Sequence, residues 1–83
     1  MIKPGEVWMV DIPELGSREQ SGLRPAVIIV QVTKTIVTII PCTSNKLALR
    51  FPFTYRLEPT ENNGLKTSSV ALVFNLRAWT LLF

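Results

Sequence analysis

Apolar and polar positions along the chain fall into short blocks punctuated by proline, glycine and asparagine, and no long stretch repeats at the helical period. The first block, residues 5–12 (Gly-Glu-Val-Trp-Met-Val-Asp-Ile), is rich in β-branched and aromatic side chains. Pro13 closes it by withholding a backbone donor, so the block predicts a strand. Residues 14–22 are polar, interrupted by Gly16 and Gly22, and aperiodic, which is the pattern of a surface loop. Residues 25–32 (Pro-Ala-Val-Ile-Ile-Val-Gln-Val) form a near-continuous β-branched run, expected of a central strand covered on both faces. After a short Thr33-Lys34 connection, residues 35–40 repeat that composition, which predicts an antiparallel hairpin ended by Pro41.

In the second half, Phe51, Phe53, Tyr55 and Leu57 occupy alternate positions, predicting a half-buried strand whose start Pro52 assigns to a sheet edge. Asn62-Asn63-Gly64 is a turn signal, residues 69–74 are a further strand, and the apolar residues 77–83 extend the sheet. About five or six short strands without helical periodicity predict a mainly β protein, a small barrel or a strongly twisted sheet.

Composition narrows the picture. A chain of 83 residues has room for one core, so 1–83 is expected to be a single domain, and 47% hydrophobic against 18% charged residues marks a sequence that folds. One core of this size leaves a thin margin of stability, and a lone cysteine, Cys42, rules out an internal disulfide. A dimer interface is the natural supplement. The single cysteine, with no signal-peptide pattern and no long apolar span, predicts a cytoplasmic protein that does not cross a membrane. A net charge of +3 favours an anionic partner, with nucleic acid and an ordinary basic surface both open.

The chain has no histidine, which removes the commonest neutral-pH general base and the commonest metal ligand. With one cysteine and scattered carboxylates, neither a zinc site nor a Ser-His-Asp or Cys-His nucleophile can be assembled. No metal or cofactor is expected, and chemistry falls to Arg, Lys, Glu, Asp and hydroxyl groups.

Among these, Arg24 stands out in Gly22-Leu23-Arg24-Pro25, between a glycine that frees the backbone and a proline that fixes it. A guanidinium held there suits a phosphate and a phosphoryl oxyanion; the alternative is an arginine paired with a carboxylate such as Glu19 to lock the loop. Thr43 and Ser44 offer hydroxyls to phosphate oxygens, or else satisfy their own turn. Glu19 either accepts a proton or is a solvated loop carboxylate. Trp8, Phe53 and Trp79 could stack bases, but as apolar aromatics in strands they are expected in the core, and Cys42 is expected to be a small buried hydrophobe rather than a nucleophile.

Residues 5–8 (Gly-Glu-Val-Trp), 16–25 (Gly-Ser-Arg-Glu-Gln-Ser-Gly-Leu-Arg-Pro), 41–44 (Pro-Cys-Thr-Ser) and 69–78 (Ser-Val-Ala-Leu-Val-Phe-Asn-Leu-Arg-Ala) together resemble, in order, the MazF/PemK family of toxin endoribonucleases. The resemblance implies an SH3-like β-barrel, usually a homodimer, that cuts single-stranded RNA at short sequences without metal and is neutralised by a cognate antitoxin peptide. It implies catalytic roles for Arg24, Thr43 and Glu19, and substrate contacts from Ser17, Gln20 and Ser44. Members usually continue after the segment matching Leu76-Arg77-Ala78 with a basic stretch and a helix, so the resemblance implies a barrel with the C-terminal helix missing. Many members also carry an acidic residue where this chain has Phe74. Three readings follow: an endoribonuclease toxin, a family member that binds an antitoxin peptide without cutting RNA, and a poison of a DNA-handling enzyme.

Overall fold

The computed structural model describes residues 2–12 and 23–80. Six strands lie within them: β1 (Val7–Asp11), β2 (Leu23–Gln31), β3 (Ile36–Thr43), β4 (Thr54–Leu57), β5 (Ser69–Leu72) and β6 (Arg77–Thr80). Every pairing is antiparallel, in the order β1-β2-β3-β5-β4, with β6 also on β3. Short 3₁₀ helices over Lys46–Arg50 and Val73–Asn75 complete the described elements, none of which is an α-helix. The result is mainly β, a curled sheet of barrel-like form that is not closed: no pairing joins β1 to β4 among the described residues.

The strand predicted over residues 25–32 is interior, as β2 between β1 and β3, but the middle of the sheet is β3 and β2 is not covered on both faces. Along Ile36–Ile39 β3 pairs with β6, between Val37 and Pro41 with β2, and at Cys42 and Thr43 with β5. Ile29 and Val30 of β2 are exposed, with a register shift between Ile28 and Val30. Nor does Pro41 end the strand. It falls between the rung at Ile39 that closes the β6 ladder and the rung at Cys42 that opens the β5 ladder, so its missing donor is accommodated in that gap.

Inward positions build the core. Ile2, Val10, Ile12, Ala26, Ile28, Val37 and Ile39 cluster there, with Trp79 packed against them. Two of the three aromatics expected in the core lie elsewhere: Trp8 is 40% exposed and Phe53 74%. The residue 51–57 alternation misleads because only Thr54–Leu57 is strand. Phe51 to Phe53 bend before it, with Phe53 at φ 58°, and leave Phe51, Phe53 and Tyr55 exposed. As Pro52 indicated, β4 is an edge strand. The strand read over residues 69–74 stops at Leu72, where the 3₁₀ turn begins, and the sheet-extending segment is confirmed over Arg77–Thr80.

Candidate active site

Period-two geometry explains where Arg24 and Thr43 stand. Arg24, Ala26 and Ile28 share one face of β2; Val37, Ile39, Pro41 and Thr43 share one face of β3. All these residues except Arg24 and Thr43 are buried. The two polar side chains are therefore the last members of the inward stripes, at the rim of the curled sheet. The rung Ala26↔Pro41, continued by two residues, sets Arg24 opposite Thr43. Arg24 thus sits within β2, opposite Val10 of β1, and not in a turn ahead of the strand.

Across that rung the Arg24 Nη1 donates to Thr43 Oγ1 at 3.4 Å, and the backbone N–H of Asn45 donates to the same oxygen at 3.2 Å. Thr43 accepts from both its own turn and the guanidinium, so the two alternatives posed by the sequence coexist in one side chain. With two donors on its oxygen, the hydroxyl still has its own proton to donate, the kind of group that suits an anion.

A groove of about 320 Å³ opens at this rim. Its polar lining includes Arg24, Thr43, Ser44, Lys66, Thr67 and Ser69, and Met9, Leu23 and Leu65 supply apolar wall. Ser44 is positioned by Lys46, whose Nζ donates to the Ser44 carbonyl at 3.2 Å and to the Ser68 carbonyl at 2.9 Å, tying the start of the 3₁₀ helix to the segment before β5. The opposite wall hangs on Asn63. Its Oδ1 accepts from the N–H groups of Thr60 and Leu65 at 3.0 Å, and its Nδ2 donates to the Glu58 carbonyl at 2.9 Å. Gly64, at φ 75°, then turns the chain so that Leu65 and Lys66 face the groove.

Cys42, one position from Thr43, is fully buried on the other face of β3. Burial pushes its thiol up to about 11, against a smaller lowering by a backbone hydrogen bond from Val27, so it supplies no thiolate at neutral pH. Glu19, Gln20 and Ser17 lie outside the described residues. Lys66, Thr67 and Ser69 escaped the sequence reading, since a lysine and two hydroxyl residues after a turn look like any solvated loop; their place in the groove comes from the Asn63 knot. Among the described residues no three His, Cys, Asp or Glu side chains converge, and no helix is long and apolar enough to cross a membrane.

Fold and groove define a small antiparallel β protein whose rim presents a fixed guanidinium–hydroxyl pair suited to an anion. A family model described as a PemK-like, MazF-like toxin of type II toxin-antitoxin systems matches residues 3–79, and the chain belongs to that family. It is 29% identical to Endoribonuclease MazF9 of Mycobacterium tuberculosis, an alignment that covers 94% of this chain and 72% of the relative. No solved structure matches.

Proposed function

We propose that this protein is the toxin of a toxin-antitoxin pair and an endoribonuclease that cuts single-stranded RNA by attack of the substrate's own 2′-hydroxyl. The observation that carries the reading is the Arg24–Thr43 pair at the mouth of the groove. Family membership and the relative named an endoribonuclease support it.

The chemistry asks for a proton acceptor, a stabiliser of negative charge and a proton donor, and needs no protein nucleophile. The 2′-hydroxyl gives up its proton, its oxygen bonds to phosphorus, and the bond from phosphorus to the 5′-oxygen breaks. That oxygen takes a proton, so the products are a 2′,3′-cyclic phosphate and a 5′-hydroxyl. In this scheme the Arg24 guanidinium stabilises the five-coordinate phosphorus, the Thr43 hydroxyl donates to a non-bridging oxygen, and Glu19 accepts the 2′ proton. Ser44 contacts the substrate from the groove wall, and Ser17 and Gln20, outside the described residues, supply further contacts. The protein works in the cytoplasm as a homodimer, without metal, and is neutralised by an antitoxin peptide.

The test is to incubate a long unstructured RNA with the protein in EDTA and map the new ends. Fresh 5′-hydroxyl ends from wild type, lost in Arg24→Ala and Thr43→Ala, are the expected result. Intact RNA with wild type, or undiminished cutting by Arg24→Ala, would overturn the assignment.

A further inference from the structure

Exposed aromatic side chains concentrate on one surface beyond the groove. Phe51, Phe53, Tyr55 and Phe74 are all open to solvent, and so are Leu47 and Leu49 of the Lys46–Arg50 helix and Leu76, which caps the Val73–Asn75 helix. The segments that carry them touch: the Phe74 N–H donates to the Phe53 carbonyl at 3.2 Å, and the Lys46–Arg50 helix packs on β4 and β5. Taking about 200 Å² for a large apolar side chain, the exposed fractions leave roughly 800 Å² of such surface. The largest apolar patch on an ordinary monomer is ~300–600 Å².

Charge identifies the occupant. Residues 44–57 contain Lys46, Arg50 and Arg56 and no acid. Just beyond them, Glu58 is held by Arg56 at 2.6 Å and by the Ser68 hydroxyl. A second copy would bring the same acid-poor surface and no anions for these cations. A single strand of RNA brings both things the surface asks for, phosphates for the cations and ring faces for the phenylalanines. Two details fit a stacking role. The Arg50 guanidinium lies 5.3 Å from the centre of the Phe51 ring, within cation–π range, so a positive charge and an aromatic ring stand together there. Phe53 is held at φ 58°, a conformation bulky residues rarely adopt, and since its ring is mostly exposed, burial does not account for that geometry.

The surface is continuous with the groove. Ser44 lines the groove and the 3₁₀ helix starts at Lys46; β5 runs from the groove residue Ser69 to Leu72, shortly before Phe74. That strand spans on the order of 10 Å. A strand of RNA covering both places needs only a few nucleotides, within the ~4–16 that small single-strand-binding barrels engage.

We propose that Phe51, Phe53 and Phe74, flanked by Arg50 and Arg56, form a stacking platform for RNA bases next to the bond held at Arg24 and Thr43. The proposal rests on the RNA reading above but concerns binding, and its test does not depend on cutting. The probe is a fluorescent 2′-O-methyl oligonucleotide, which lacks the attacking hydroxyl, titrated by anisotropy. Phe53→Gly is expected to weaken it by roughly 5- to 100-fold, the loss of one stacked base, while Phe53→Trp keeps the affinity. Glycine also relieves the left-handed backbone, so the thermal midpoint of Phe53→Gly stays level or rises and misfolding cannot explain the loss. On an oligonucleotide of abasic sites the two proteins are expected to bind alike. Equal affinity of wild type and Phe53→Gly for the base-bearing strand would overturn the platform. So would a Phe53→Gly protein whose only change is dissociation in sedimentation, which would assign the surface to a second copy, or loss of binding to an acidic peptide alone. A wild type that binds with this Phe53 dependence yet leaves ordinary RNA intact supports the platform and counts against the cleavage reading only.

Discussion

The guanidinium of Arg24 meets the hydroxyl of Thr43 across neighbouring strands, 3.4 Å apart although 19 residues separate them in sequence. Neither sits on a free loop. Each ends an inward stripe of apolar residues, so the packing that buries Ala26, Ile28, Val37 and Ile39 also fixes the two polar groups. Donors held this way need no reorganisation when charge develops on a phosphate.

Substitutions at Thr43 separate the hydroxyl's role in binding charge from its role in its own turn. Thr43→Val keeps the shape and removes the hydroxyl, and kcat is expected to fall by about 10²–10³, the usual loss of one preorganised donor. Thr43→Ser retains most of the activity. The N–H of Asn45 is exposed and recovers its bond from water, so the melting temperature barely moves. Arg24→Lys keeps the charge and loses the planar fork, and is expected to cut at least about tenfold more slowly. RNA cleavage rates beside thermal melts check all three.

Lys66 and Arg24 line the same groove, and on the proposed RNA reading Lys66 is expected to act as an electrostatic contact without a place in the chemistry. Its effect appears in salt dependence. For single strands each neutralised phosphate contributes about −0.7 to the slope of log K against log salt, so Lys66→Ala is expected to flatten that slope by about 0.7 and to weaken all sequences alike. An unchanged slope would remove Lys66 from the phosphate path.

How legible this was in the sequence depends on what signal each residue carries. The strands were readable because β-branched runs broken by proline and glycine leave few other outcomes. The interruption at Pro41 was overread, since a proline is harmless where one ladder stops before the next begins. Phe51, Phe53 and Tyr55 looked half-buried because alternation cannot tell a strand from a bend, and the positive φ of Phe53 has no local mark in a sequence that offers no glycine there. Residue chemistry singled out Arg24 and Thr43 but by itself favoured structural roles for both; the resemblance to a family is what turned them into a candidate site. Lys66, Thr67 and Ser69 had no signal at all, because what brings them to the groove is the Asn63 hydrogen-bond knot.

The core is thin, and its loss should be correspondingly severe. Ile39 is fully buried in the central strand, whereas Ile29 on β2 is exposed. Ile39→Ala removes packing on a site that cannot easily collapse, and is expected to cost about 2–5 kcal/mol. For a small domain with ~5–15 kcal/mol in all, that approaches global unfolding. Ile29→Ala should cost well under half as much. Urea midpoints of the two variants test the contrast, and comparable losses would mean that the inward stripe is not the core.

Cys42 gives the fold a sensitivity to alkali. Burial raises its thiol from 9.0 to about 11, so the folded chain holds this proton more tightly than the unfolded chain does. The sign follows: with a raised folded pKa, the contribution to stability is complete below the unfolded value and is lost as pH climbs from about 9 through about 11. Other groups also titrate in that range, so the measurement is a difference. Urea midpoints taken between about pH 8 and about pH 11 should fall more steeply for wild type than for Cys42→Ala, which keeps a small apolar side chain and has nothing to ionise. Parallel slopes would acquit the thiol. A second readout agrees with the first or contradicts it: a thiol reagent at neutral pH should modify Cys42 only as fast as β3 opens, because the group is both buried and protonated until then.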